Sequence, residues 1–480
     1  MQSGGEQRRG AQIGNVRVRR GRRQRQVIAV ERPRIRRPHR PGLSLIFIGL
    51  ITLIAVGTAL LMLPIASREA GGVGFLTALF TATSAACVTG LVVRDTLETW
   101  TPFGQGVIFM LIQLGGLGFM ASATLLLLVL GRRVSIAQRV ITASMTGSLG
   151  AASVSHLLRR ITMMTLTFEA VGAAVLIAVF AVHAGGIDFP LIWRGMFTSV
   201  SAFNNAGFDL EGGGRSLTAY ADSPVVLLTV AVLALAGSVG YATIWDVNRT
   251  RGWSRLTLNT KVVLSTFGAL ILVGMATIFF REAFGDGVLE PLSIPNALVA
   301  AFAESAYART SGFSALNLGG AAPEVLLVIA GLMFIGGASG STAGGIKVNT
   351  FTTLFVTIIA AARGQDRVHL FKREIPWTQV NRALTVALLA VAIVFALTIG
   401  VTATNPDLDP IHVIFEAFSA FGTTGLSAGI TGSLNAAGQV IIILGMFVGR
   451  VGPLAIALVL AGRFSGRERI RYPEAEINIG

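Results

Sequence analysis

Charge is scarce in this chain. Of 480 residues only 13% are Asp, Glu, Lys or Arg, while 52% are apolar, a balance that excludes an ordinary soluble globular protein. Cysteine is scarcer still: Cys87 alone excludes an intrachain disulfide and a cysteine cluster for zinc, and reads as a small packed residue. The five histidines, His39, His156, His183, His369 and His412, fall far apart with no HExxH or paired spacing. Metal catalysis therefore has no visible ligand set. No Ser-His or paired-Asp arrangement stands at membrane depth, so an intramembrane hydrolase would lack its nucleophile and base. The first 42 residues contain no aromatic residue, and carry thirteen Arg against Glu6 and Glu31, a net +11 of the total +15. That tail is low in complexity and expected to be disordered. It reads as a cytoplasmic topology anchor, with anionic lipid or nucleic acid as alternative contacts.

Long apolar sequence is what the chain has in abundance. Leu43 to Leu63 is a run of 21 uncharged residues, enough to cross ~30 Å of hydrocarbon at ~1.5 Å per residue. A cleaved signal peptide would have a shorter apolar core and would not follow 42 polar residues. Self-comparison then aligns four segments without a gap: "FTATSAACVTGL" from Phe80, "FTSVSAFNNAGF" from Phe197, "FAESAYARTSGF" from Phe302 and "FEAFSAFGTTGL" from Phe415. Each has Gly ten residues after its Phe, at Gly90, Gly207, Gly312 and Gly425. The fifth place is Ser84, Ser201, Ala306 and Ser419. The copies are 117, 105 and 113 residues apart, a fourfold internal repeat.

Each copy lies between two long apolar stretches. The first of each pair covers 43–63, 161–182, 262–280 and 383–401; the second covers 105–130, 224–245, 325–362 with an interruption, and 438–461. The segments between them hold ~10 to 12 apolar residues, too few to span and right for a re-entrant half-helix. The expected fold is an all-α polytopic membrane protein with eight spanning helices and four helix, re-entrant loop, helix repeats around a central pore. The expected domains are an Arg-rich tail 1–42, repeats 43–130, 131–245, 246–362 and 363–462, and a C-terminal tail 463–480. Assigning the re-entrant segments and their flanks to one side gives that side fifteen acids and six Arg. The opposite connections hold Arg132, Arg133, Arg139, Arg159, Arg160, Arg249, Arg251, Arg255, Lys261, Arg363, Arg367, Lys372, Arg373 and Arg382. That side is cytoplasmic by the positive-inside rule, with both termini.

Four loops converging on an axis would turn backbone carbonyls toward one another, and such a ring can replace a cation's hydration shell. Gly suits the crowded point because it allows positive φ and adds no side chain. The half-helices would aim their negative C-terminal ends at the ion, and outer acids would concentrate cations at the mouth. These features point to permeation of a monovalent cation; the plainer reading of the motif is close helix packing by small residues.

The motifs "SAFNNAGF", "ARTSGF", "FGTTGL", "GGASGSTAGGIK" and "MFVGRVGPL" together resemble the Trk/Ktr/HKT superfamily of potassium transporters, most of all its Ktr branch. The likeness covers residues 43–480. It implies a selectivity filter built by Val88, Thr89, Gly90, Asn205, Ala206, Gly207, Thr310, Ser311, Gly312, Thr423, Thr424 and Gly425, whose carbonyls hold the potassium ion. Gly90, where some sodium-preferring relatives have Ser, implies potassium selectivity; sodium-selective or sodium-coupled uptake stays the alternative. The resemblance also implies a homodimer and a cytosolic ring of RCK-type regulatory subunits carrying the nucleotide, with potassium as substrate, sodium as an open candidate activator and no covalent cofactor. The bilayer is a partner and nucleic acid is not. The ending "RYPEAEINIG" resembles the segment that helps form the dimer contact in that branch.

The interruption runs through Gly336, Gly337, Ser339, Gly340, Ser341, Thr342, Gly344 and Gly345 to Lys347. A phosphate-binding loop would need GK[ST], which is absent. A packing kink is the other alternative, and the resemblance makes the stretch an intramembrane gating loop. Arg450, thirteen residues before Arg463, would lie ~20 Å deep in a regular helix and should find the carbonyls of that loop. Lys347 is open between the same gate and snorkelling, and Glu169 between buried counterion and interhelical hydrogen bonding. Arg309 is expected to point backward and brace the filter, with Glu304 as candidate partner. Asn204 and Asn205 are expected to brace the second copy.

Overall fold

The computed structural model describes residues 41–117, 154–250, 252–284 and 287–452. The Arg-rich tail, the link 118–153 and the C-terminal tail, with the expectations made for them, lie outside the described residues.

Four times the chain runs through a helix, a short helix ending in a loop, and a further helix. The first passage is α1 (Pro41–Leu61), α2 (Phe75–Ala86) and α3 (Pro102–Gly116). The second is α4 (Val154–Ala184), α5 (Phe189–Asn204) and α6 (Pro224–Val239), followed by α7 (Tyr241–Thr250). The third is α8 (Leu258–Glu282), α9 (Ile294–Tyr307), α10 (Pro323–Phe334) and, past the Gly-rich stretch, α11 (Val348–Ala362). The fourth is α12 (Trp377–Thr404), α13 (Pro410–Gly422) and α14 (Ala436–Val451). Between α11 and α12 a hairpin pairs β1 (Val368–Leu370) antiparallel with β2 (Arg373–Ile375), Val368 facing Ile375.

The short helices have 12, 16, 14 and 13 residues, so at ~1.5 Å per residue none reaches across ~30 Å of hydrocarbon. Their starts are written locally. Asp188 caps α5 by accepting from Leu191 N at 2.8 Å, and Asp409 caps α13 by accepting from Ile411 N at 2.9 Å, each with Pro in the first turn. A carboxylate satisfies an orphan N–H there, and Pro costs the helix no bond.

Leu272, Ile358, Leu388 and Phe395 are each more than half exposed. Large apolar side chains on the outside of long apolar helices mark a protein that has lipid as its solvent. Among the described residues α4 from Arg159, α8 and α12 are long and apolar enough to cross a membrane. The stretch expected as one helix over 224–245 instead bends by 97° between α6 and α7, where Gly240 has φ +88°. By length and composition the described residues hold three such helices, or four if the bent pair counts as one, against the eight expected of the whole chain. Of the remaining apolar stretches, the Gly-rich connection divides α10 from α11, and α1, α3 and α14 adjoin residues outside the description.

Packing closes on itself. The helix after each loop lies against the short helix of the next repeat: α3 on α5, α6 on α9, α10 on α13, and α14 back on α2. One apolar core joins the second and third repeats through Phe203, Leu227, Tyr307, Phe313 and Met333. Another joins the first and fourth through Phe80, Trp100, Ile112, Ile442 and Met446. Cys87 is buried in the latter, as a small packed residue.

Candidate functional site

All four short helices end alike. Val88, Asn205, Thr310 and Thr423 take left-handed φ values of 55°, 59°, 73° and 47°, and the glycines two residues on, Gly90, Gly207, Gly312 and Gly425, have φ of 102°, 68°, 78° and 94°. A non-glycine residue held there costs about 1–3 kcal/mol, most for the β-branched Val and Thr, and such strain persists only where surrounding contacts enforce it. A Cβ on Gly90 would lie 2.5 Å from Ala206 O, one on Gly207 2.6 Å from Gly312 Cα, one on Gly312 2.4 Å from Thr424 O, and one on Gly425 1.9 Å from Thr89 O. The contacts run from the first copy to the second, third and fourth and back to the first. Only glycine fits at any of the four points.

Two of the fifth-place serines hold this geometry through their hydroxyls. Ser84 Oγ accepts from Gly90 N and Ser419 Oγ from Gly425 N, both at 3.0 Å. The preceding amides of Thr89, Ala206 and Thr424 donate to the carbonyls of Ser84, Ser201 and Ser419 at 2.8, 2.8 and 2.9 Å. The third copy, with Ala306, differs: Ser311 N donates to Tyr307 O at 2.8 Å. All twelve residues expected in the filter are buried at this convergence. The hydroxyls of Thr89, Thr310, Ser311, Thr423 and Thr424 are buried there without a protein partner. Carbonyl and hydroxyl oxygens are the donors a hard cation takes.

A mouth of about 470 Å³ opens beyond the glycines, lined by Asp95, Asp209 and Arg215 among others. Burial pushes the Asp209 carboxyl up to about 7; the Glu211 amide, donating to Oδ1 at 3.0 Å, opposes this, while the charges of Glu211 and Asp95 add to it. Three of the acids assigned by sequence to the cation-attracting surface are elsewhere. Glu282 accepts from Val288 N and Ala322 N at 2.9 Å, and Glu304 accepts from Ala315 N at 2.8 Å and Ser314 Oγ at 3.1 Å. Glu416 accepts from Ser427 Oγ at 2.9 Å and from Thr431. All three are buried and hold return loops in place.

The Gly-rich stretch packs on the residues that precede the glycines. A Cβ on Gly344 would lie 2.1 Å from Thr423 Oγ1 and 3.0 Å from Gly422 O. The amides of Ala338 and Thr342 donate to Ser238 O at 2.9 Å and Gly237 O at 3.3 Å, tying the stretch to the end of α6. Asn205 links the second loop to it. With its amide oxygen facing Thr342 Oγ1 at 2.7 Å and Ser238 N at 3.2 Å, its nitrogen donates to Ala234 O at 3.0 Å. Arg309 links the third loop, but not through Glu304: its guanidinium donates to Gly336 O at 2.9 Å and lies 4.6 Å over the Phe267 ring. Glu304 is already taken by the loop after its own filter segment.

Arg450 donates to Thr342 O, a carbonyl of the Gly-rich stretch as expected, and also to Gly115 O at the end of α3. It does not sit midway along a regular helix: α14 ends one residue later, with Gly452 at φ +88°. Lys347 curls back onto the stretch, its Nζ 2.5 Å from Ala343 O and 3.5 Å from Gly344 O. Glu169 resolves toward hydrogen bonding: Asn204 Nδ2 and Gln113 Nε2 donate to its two oxygens at 2.8 and 3.1 Å. Among the described residues it has no ion-pair partner. Gln113, Ser238 and Thr342 Oγ1 were missed by sequence reasoning as partners, because nothing in their spacing marks them.

A model of the family described as "TrkH: Cation transport protein" matches residues 50–466. The chain is 36% identical to the Ktr system potassium uptake protein B of Bacillus subtilis over 433 residues, covering 90% of this chain and 95% of that protein. It is 34% identical to the potassium/sodium uptake protein NtpJ of Enterococcus hirae over 457 residues, covering 94% and 100%. The fold is similar to the crystal structure of the potassium transporter TrkH from Vibrio parahaemolyticus, with TM-score 0.69 at 17% identity, covering 90% of this chain and 87% of that one.

Proposed function

We propose that this chain, which belongs to the TrkH family of cation transport proteins, carries potassium into the cell through the four convergent loops, which act as a selectivity filter in a four-repeat pore. The family is one of membrane ion transporters rather than enzymes. The observation that carries the reading is the closed circuit of contacts from Gly90 through Gly207 and Gly312 to Gly425, each at positive φ. Four loops in that conformation bring main-chain oxygens round one point, where they substitute for the water that a cation sheds. Each short helix ends there, so four partial negative charges favour the ion. The Gly-rich stretch, packed against Thr423 and tied by Arg450, blocks the passage until it moves, and the Arg450 charge opposes cations while it stays. The name of the Ktr-system relative supports work with partner subunits; a homodimer on a cytosolic nucleotide-binding regulatory ring follows from the motif resemblance, and a place in the cell membrane with both termini inside follows from the loop charges. A second reading, transport of sodium beside potassium, is favoured by the 34% identity to a potassium/sodium uptake protein.

Uptake into proteoliposomes tests both, comparing potassium with sodium for the purified chain and for Gly312→Ser. A side chain at Gly312 meets Thr424 O at 2.4 Å, so it must displace a filter carbonyl. Preference for potassium should fall by about tenfold or more, equivalent to roughly 1.4 kcal/mol between the two ions. Equal selectivity in the variant would overturn the filter reading, and equal uptake of both ions by the parent chain would favour the second.

A further inference from the structure

On the side assigned to the cytoplasm by loop charge, the connection into α8 and the tip of the β1–β2 hairpin enclose a pocket of about 560 Å³. Four cations line it, Arg255 and Lys261 from one wall and Lys372 and Arg373 from the other. None of the four makes an ion pair among the described residues. Glu374, next to Arg373, is paired with Arg367 at 3.5 Å. The nearby Asp246 is spent on the N-terminus of α8, accepting from Thr257 N at 3.0 Å and Thr260 Oγ1 at 2.6 Å. Four like charges gathered in one concavity repel one another, and an anion relieves that repulsion.

The hairpin wall of the pocket has an uncommon backbone conformation. Phe371 and Lys372 hold left-handed φ values of 47° and 61°, a conformation that residues with side chains adopt at a cost. The Phe371 ring packs edge-on against Trp253, 6.3 Å between centroids. Trp253, and Trp377 four residues after Arg373, are each about half exposed, as is Trp245. Exposed Trp beside Lys and Arg is the side-chain composition of the headgroup layer of a bilayer.

We propose that this pocket binds the phosphate group of an anionic ligand, a phospholipid headgroup or a soluble phosphate. The guanidinium forks of Arg255 and Arg373 suit phosphate oxygens, and the two ammonium groups add charge. The site is separate from the four loops and does not rest on their role in permeation.

The test uses full-length protein, its Lys372→Gln/Arg373→Gln variant and a charge-keeping Lys372→Arg/Arg373→Lys variant. In one arm, native mass spectrometry counts the lipids retained from micelles holding equal phosphatidylglycerol and phosphatidylcholine. In the other, inorganic phosphate is titrated into delipidated protein and the heat is measured. The parent and charge-keeping forms should hold phosphatidylglycerol preferentially, and the neutralised form should lose that preference by about tenfold or more, as two removed cations near an anionic headgroup imply. If phosphate binding, and not lipid retention, shows the same loss, the ligand is the soluble phosphate. If all three forms retain phosphatidylglycerol equally and take up phosphate equally, the proposal fails. It fails too if neither phosphate source binds and polyglutamate does, since the surface then takes acidic protein.

Discussion

Asp209 stands two residues beyond Gly207, half-buried in the mouth with Asp95. Because burial raises its carboxyl to about 7, the group is ionised above that pH and neutral below it. Lowering external pH from 8 to 6 therefore removes one negative charge from the entrance, and with it part of the local cation concentration. Uptake measured at subsaturating potassium should fall several-fold across that range in the parent, by an order-of-magnitude electrostatic argument. Asp209→Asn should show the low rate at both pH values, and a pH response unchanged in that variant would show that another group is responsible. The sequence gives no reason to single out Asp209 from the fifteen outer acids. Glu304 and Glu416 carry the same charge nearby in the chain, yet they turn into the protein and fasten return loops. The four glycines were different: their spacing identified them, since only glycine tolerates positive φ where backbones meet.

The helices after the loops are the elements that departed most from expectation. The run 224–245, expected as one helix, is turned by 97° at Gly240, while the interruption expected in the third repeat is a 13-residue non-helical connection from Ile335 to Lys347. Hydropathy reports a segment's solvent, not its direction, so it cannot see a break whose freed amides and carbonyls find partners inside the protein. Here Gly237 O, Ser238 O and the Arg450 guanidinium are those partners. Arg450→Gln removes charge-assisted bonds to Thr342 O and Gly115 O, each worth about 1.5–3 kcal/mol, and it also removes a positive charge from beside the passage. Leak flux of potassium without activation should rise by roughly tenfold or more, on the arithmetic of a two-state gate. Unchanged flux at equal expression would separate Arg450 from gating.

At the scale of the whole molecule, the four repeats close because the last helix of one packs on the short helix of the next, ending with α14 on α2. The transport machinery inferred from that closure uses nothing from residues 1–40. Removing them should leave the uptake rate of purified protein in proteoliposomes within about twofold, a change smaller than 0.5 kcal/mol in the barrier; a larger loss would give the tail a direct part in transport. The sequence by itself determined the membrane character, the four copies and the glycine at the centre of each, because composition, periodicity and the steric uniqueness of glycine are local properties. Only the tertiary structure decided which copy touches which, that Arg309 reaches Gly336 O and not Glu304, and that Glu169 is hydrogen bonded by Asn204 and Gln113. Those pairings join residues distant in the chain, and a long polar side chain has several partners within reach until the packing of the backbone leaves it one.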